Sequence, residues 1–219
     1  MSAAFLIAIT QQASAATTIF NNTTSDLNLR FNPGTYEVGD QVTNLAGTDR
    51  WITGFSFEYW GTNTANPSVF AGSVMAEVRF YLNDGTNFNG YATPGTMFYD
   101  SGLFAVSPTN RATLVFDSSD FGSGVFLSAE SFTWTVQFFG MGATDSVGVD
   151  LYDPPSIGSD YPDYWENQGG GWALRTNSLS ATMNFAARFD ASVPEPSSIT
   201  LSILGGLGLL IAVGRLRKK

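Results

Sequence analysis

The chain has 219 residues, 43% of them hydrophobic and 14% aromatic, with no cysteine and no histidine. That composition excludes disulfides, thiol nucleophiles, thiolate or imidazole metal sites and a histidine general base. The net charge is −9, yet both lysines and two of the eight arginines fall in the last five residues; between the two ends six arginines face eighteen of the nineteen acids, a balance of −12 that argues against nucleic acid or anionic lipid as partner.

The chain opens on an apolar run, 3–9, followed by Ala13-Ser14-Ala15 before Ala16. Small residues at that spacing fit the cleavage site of a secretory signal over 1–15, although no basic residue precedes the run. From residue 16 to 192 the sequence reads as one β domain, strand after strand. "SDLNLRF" comes first, and "WITGFSFEYW" sets Ile52, Phe55, Phe57 and Tyr59 on one face. "MAEVRFYL" and "TMFYDSGLF" follow, and "RATLVFDSS" alternates Ala112, Leu114 and Phe116 with Thr113, Val115 and Asp117. "ESFTWTVQFFG" is the cleanest, with Phe132, Trp134, Val136 and Phe138 opposed by Ser131, Thr133, Thr135 and Gln137. After "SVGVDLY", "TMNFAARFDA" alternates Met183, Phe185, Ala187 and Phe189 with Asn184, Ala186, Arg188 and Asp190. A period of two with aromatic and β-branched enrichment is the mark of half-buried strands. Asn32-Pro33-Gly34, Asn83-Asp84-Gly85, Pro94-Gly95 and Gly169-Gly170-Gly171 punctuate the runs as turns. The expected fold is all-β: two antiparallel sheets packed as a jelly-roll-like β-sandwich.

The tail has a different character. Val193-Pro194-Glu195-Pro196-Ser197 precedes an apolar run over 199–213, and Arg215, Arg217, Lys218 and Lys219 close the chain. A full helical span needs about 20 apolar residues; counting the flanking small residues and letting the arginines snorkel, a short transmembrane helix over 198–214 is expected. Its basic tip belongs on the cytoplasmic side, which places the body outside.

This tripartite order over 193–219 resembles the PEP-CTERM sorting signal of Gram-negative bacteria, with the Pro-Glu-Pro motif at 194–196. The resemblance implies an exported protein, anchored in the membrane until an exosortase-type membrane protease removes the tail, then attached at the cell surface or released. Two prolines around Glu195 hold the backbone extended and deny it helical hydrogen bonds, so a protease can grip it just outside the bilayer. The stretches "TGFSFEYWG", "VRFYLNDG", "FTWTVQF" and "WENQGGGWAL" are similar to the β-sandwich modules of such exported proteins. No enzymatic activity follows from that likeness.

Three site chemistries compete with the reading of a non-enzymatic envelope or matrix protein. The stretch 145–172 combines Tyr152, Tyr161, Tyr164, Trp165 and Trp172 with many acids. Aromatic faces stack on sugar rings and carboxylates accept from hydroxyls, so it is a candidate carbohydrate-binding segment for an exopolysaccharide; the alternative is a long loop that caps the sandwich. Asp150, Asp153, Asp160 and Asp163 are candidate oxygen ligands for calcium, the one cofactor considered, against the alternative of solvated acids. A glycosidase needs two carboxyls about 5–9 Å apart across a cleft, for which Glu58 and Glu77, expected on adjacent strands, are a candidate pair; as solvent-facing acids they would do nothing.

Overall fold

The computed structural model describes residues 16–193 except 48, 49, 123 and 177–181. The signal (1–15), the Pro-Glu-Pro motif, the apolar span (198–214) and the basic tip lie outside the described residues. In chain order the strands are β1 (Thr17–Asn22), β2 (Asp26–Phe31), β3 (Glu37–Thr43), β4 (Trp51–Asn63), β5 (Met75–Leu82), β6 (Asn87–Phe88), β7 (Tyr91–Ala92), β8 (Met97–Asp100), β9 (Phe104–Ala105), β10 (Thr109–Phe116), β11 (Val125–Phe126), β12 (Ser131–Phe139), β13 (Asp145–Tyr152), β14 (Ser159–Asp160), β15 (Asp163–Asn167), β16 (Trp172–Thr176) and β17 (Ala187–Ser192). Among the described residues no helix is long and apolar enough to cross a membrane.

Two large antiparallel sheets form, with β6 and β7 making a separate two-stranded one. The first is built on β4, whose 13 residues give room for two partners on each side: β17 and β13 along one edge, β10 and β11 along the other. β1 then extends β17 and β2 extends β13. The second sheet runs β16-β15-β3-β12-β5-β8, with β14 also beside β3 and β9 beside β5. Ile52, Phe55, Phe57 and Tyr59 of β4 are buried, as are Phe132, Trp134, Val136 and Phe138 of β12, because the alternating apolar positions of each sheet turn toward the other. Contacts between the sheets make the core: the Phe55 ring lies 5.1 Å from Phe80 and 5.3 Å from Trp134, and Phe189 of β17 lies 5.0 Å from Phe132. This is sheet-on-sheet packing through interdigitated aromatic side chains.

The alternation misleads in two places. Thr133 and Thr135 of β12, expected to face solvent, are fully buried. They lie under the long side chains of the flanking strands: Thr135 donates to Glu37 Oε1 at 2.7 Å and Thr133 to Asn83 Oδ1 at 2.7 Å. The second departure is the last strand, which starts only at Ala187. Residues 183–186 are buried on both sides and tied in by an isolated bridge between Phe185 and Leu151, so Asn184 and Ala186 do not lie on a wet face.

Three local features matter below. A Cβ on Gly148 would fall on the Phe31 carbonyl oxygen, so only glycine lets β13 approach β2 this closely. β2 is bent where Asn28 takes φ +55°, and its register against β13 shifts between Leu151 and Tyr152. The β6–β7 hairpin turns on Asn89-Gly90, with φ +53° and +95° as a tight two-residue turn requires. It carries Phe88 edge-on to Trp165 at 6.3 Å.

Candidate functional site

On the outer face of the first sheet, alternate residues of β2, β4, β10 and β13 bring Arg30, Glu58, Trp60, Arg111, Asp150 and Tyr152 together. Asp150 is fully buried beneath two guanidiniums, with Arg30 Nε at 3.3 Å and Arg111 Nη2 at 3.4 Å from its Oδ1. Arg111 also reaches Asp26 at 2.7 Å and Glu58 at 3.5 Å. Its hydrogen bond to Asp26 chiefly, helped by Asp150, raises the Arg111 pKa, and the same bond holds the Asp26 carboxyl below its usual range. Tyr152 donates to Glu58 Oε2 at 2.7 Å, and burial together with that carboxylate pushes its phenol up. Arg30 lies over the Trp60 ring at 5.6 Å and hydrogen-bonds both the carbonyl and side-chain oxygens of Asn110. Beside this frame lies a shallow depression of about 330 Å³ between Trp60, Thr62, Pro67, Thr109 and Asn110, which shares Arg30 with a second of about 430 Å³. One aromatic ring fixed by a cation, flanked by amide and hydroxyl groups, is an arrangement suited to a sugar.

The outer face of the second sheet holds a different cluster. Arg79 binds Glu37 at 3.3 Å, Glu77, and Asp100 at 3.6 Å. Tyr81 donates to Glu37 at 3.0 Å, and Trp172 stands edge-on to Tyr81 at 5.5 Å. Burial, then the neighbouring Asp100, raises the Glu77 carboxyl.

Strand pairing scatters the aromatic residues of 145–172. Tyr152 belongs to the Arg111 cluster, while Tyr164 is in the core, 4.9 Å from Phe31. Trp165 is 1% exposed under Phe88. Trp172 stands on the second sheet, and Tyr161 is exposed. They form no common platform, and neither Tyr164 nor Trp165 offers a ring face to solvent. Glu58 and Glu77, expected on adjacent strands, sit instead on different sheets: each is flanked by core-facing neighbours, so both point outward from opposite faces with the aromatic core between them. They cannot flank one cleft.

The four candidate calcium ligands also divide. Asp150 is taken by the two arginines, whereas Asp153 and Asp160 meet at one end of the sandwich, where Asn184 Nδ2 lies 2.9 Å from an oxygen of each. Burial first, then Asp153, pushes Asp160 up to about 7, and burial raises Asp163. Three residues outside the expected set join them: Asn22, Asp40 and Asn184, all buried. Asp40 occupies a core position between Val38 and Val42 of β3, a strand whose apolar pattern it interrupts. Among the described residues no three His, Cys, Asp or Glu side chains converge as a ready-made metal cluster.

No family model, curated protein or solved structure matches this chain.

Proposed function

We propose that the chain is an exported, non-enzymatic β-sandwich protein of the cell envelope or extracellular matrix, held at the membrane by its tail until an exosortase-type protease cuts it. The observation that carries this reading is the order Val193-Pro194-Glu195-Pro196-Ser197, apolar 199–213, basic 215–219. The cysteine-free acidic body supports it, as does the jelly-roll-like reading of the sandwich. Intact-mass analysis of the protein from its native host is the test. A C-terminus shortened to near Pro196 is expected, and replacing Pro194, Glu195 and Pro196 by alanine is expected to leave the tail on. Full-length mass retaining Lys219, from a host with active exosortase, overturns the reading.

A second reading, carbohydrate binding, is favoured by the Trp60 depression rather than by the segment 145–172. Extracellular polysaccharide is the natural ligand class for a matrix protein. In affinity electrophoresis through the host's exopolysaccharide, Trp60→Ala is expected to weaken retardation about tenfold, in line with the loss of one stacked ring and its cation–π partner, about 1–2 kcal/mol. Trp165→Phe, under the hairpin, is expected to change nothing. Equal retardation of wild type and Trp60→Ala removes this reading.

A further inference from the structure

At the end of the sandwich where β1, β3, β13 and β14 meet the segment 183–186, one buried and several half-buried acids gather with no cation beside them among the described residues. Asp40 is fully buried; its Oδ2 accepts the Phe185 N–H at 3.0 Å and its Oδ1 has no partner. Asn184, 2% exposed, points Nδ2 at Asp153 Oδ1 and Asp160 Oδ1, both at 2.9 Å, and leaves its own Oδ1 without a partner. Asn22, fully buried, donates to the Tyr152 and Phe185 carbonyls at 2.8 and 3.4 Å and to Asp160 Oδ2 at 3.2 Å, and its Oδ1 is likewise unpaired. Buried acceptors are nearly always satisfied, so the orphan oxygens of Asp40 and Asn184 within one connected cluster point to a missing electropositive group.

Among the described residues no side chain supplies that group. Each of the six arginines between the two ends is engaged with other acids, and none of these ion pairs reaches Asp40, Asp153, Asp160 or Asp163. Burial first, then Asp160, holds the Asp40 carboxyl well above the usual range, as expected for acids crowded together with no counter-charge.

We infer that a calcium ion binds among Asp40, Asp153, Asp160 and Asn184, with the Asn184 amide turned about its last bond so that Oδ1 takes the place of Nδ2. Amide oxygen and nitrogen have nearly the same shape, so the turn needs no repacking. It converts a donor lodged between two carboxylates into a third oxygen aimed at the same point, which completes a set that the carboxylates alone do not close. Asn22 stays as it is and steadies Asp160. All donors are oxygens, as a hard cation requires, and a chain without histidine or cysteine holds no better ligand for zinc or copper. A set of mixed carboxylate and amide oxygens, with Asp40 and Asn184 buried and Asp153 and Asp160 half-buried, suits calcium, which accepts irregular geometry, over magnesium, which keeps several waters. Asp40 and Asp160 belong to one sheet and Asp153 follows β13 of the other, so the ion would fasten the two sheets at this end. The inference rests on the body alone and is independent of the sorting reading.

The test uses the full-length protein, stripped with EGTA and titrated with calcium chloride. One calcium per chain is expected, with a melting temperature that climbs with calcium concentration through the millimolar range of extracellular modules. Terbium bound in its place is expected to luminesce on tryptophan excitation, because Trp134 stands directly across from Asp40 on the same face of the sheet. Asp160→Asn keeps the shape and removes one crowded charge. It is expected to melt, metal-free, no lower than wild type, while weakening calcium binding at least tenfold. Asn184→Leu is expected to abolish binding, and Asp117→Asn, an exposed acid in the turn after β10, to leave it intact. The inference is overturned by identical melting in EGTA and in millimolar calcium, by an equal response to magnesium chloride, or by undiminished calcium binding in Asp160→Asn.

Discussion

Phe55→Ala is expected to cost about 3–5 kcal/mol, a large part of the 5–15 kcal/mol by which a domain of this size is ordinarily stable. The ring sits at the centre of the core, with centroids of Phe57, Phe80, Phe116, Trp134 and Phe189 at 5.9, 5.1, 5.7, 5.3 and 4.6 Å. These neighbours come from β4, β5, β10, β12 and β17, so no single strand can shift to fill the space left behind. The cost therefore includes both the lost transfer of the ring from water and a cavity that stays open. Urea unfolding reads it as a lower midpoint at an unchanged slope. Phe126→Ala is the contrast. That ring is half-exposed and rests on Trp51 at 5.3 Å, and its removal is expected to cost under about 1 kcal/mol. Equal losses in the two variants would contradict the packing described for Phe55.

Arg79→Met is expected to be as damaging, for an electrostatic reason. The guanidinium serves Glu37, Glu77 and Asp100 together, and Glu37, 5% exposed, also accepts from Thr135 and Tyr81. Deleting the cation leaves carboxylates in a dry setting without a counter-charge, which costs about 3–5 kcal/mol, whereas deleting both partners of such a pair is often close to neutral. Arg79→Met with Glu37→Gln is thus expected to be more stable than Arg79→Met alone. The loss also depends on pH. In the native protein burial already holds Glu77 above its ordinary value of 4.5, so its protonated form favours folding: that stability is complete below about 4.5 and is lost as pH rises through the folded value. Without Arg79 the folded value moves further up. The deficit of the variant therefore opens as pH rises above about 4.5 and is larger at neutrality than in acid. A deficit that grows toward low pH would contradict this account.

The sequence displays the sheets more plainly than the sites, for a physical reason. Alternation in β4, β10 and β12 marks which residues face the core, because the pleat puts every second side chain on one face. It does not tell whether the other face is wet, and Thr133 and Thr135 show the difference: their covering comes from β3, β5 and Asn83. β3 itself is hidden in the sequence, since Gly39 and Asp40 break the apolar pattern. Both have reasons visible only in three dimensions. A Cβ on Gly39 would crowd Thr133 and Thr135, and Asp40 turns inward toward Phe185. In the stretch 145–172, composition places acids and aromatics side by side, whereas pairing sends Asp150 and Asp153, three residues apart, to different clusters. Asn22, Asp40 and Asn184 come from three distant segments, and nothing in their spacing foretells that they meet.

The bend in β2 has a consequence for copies of the chain held close together. An outermost strand with straight, unpaired N–H and C=O groups invites a second copy to dock on it and start a fibre. Asn28 turns the backbone out of line in the middle of this short strand, so no run long enough for zippering remains there. Copies brought close together would then not be joined through this edge into a continuous cross-β stack.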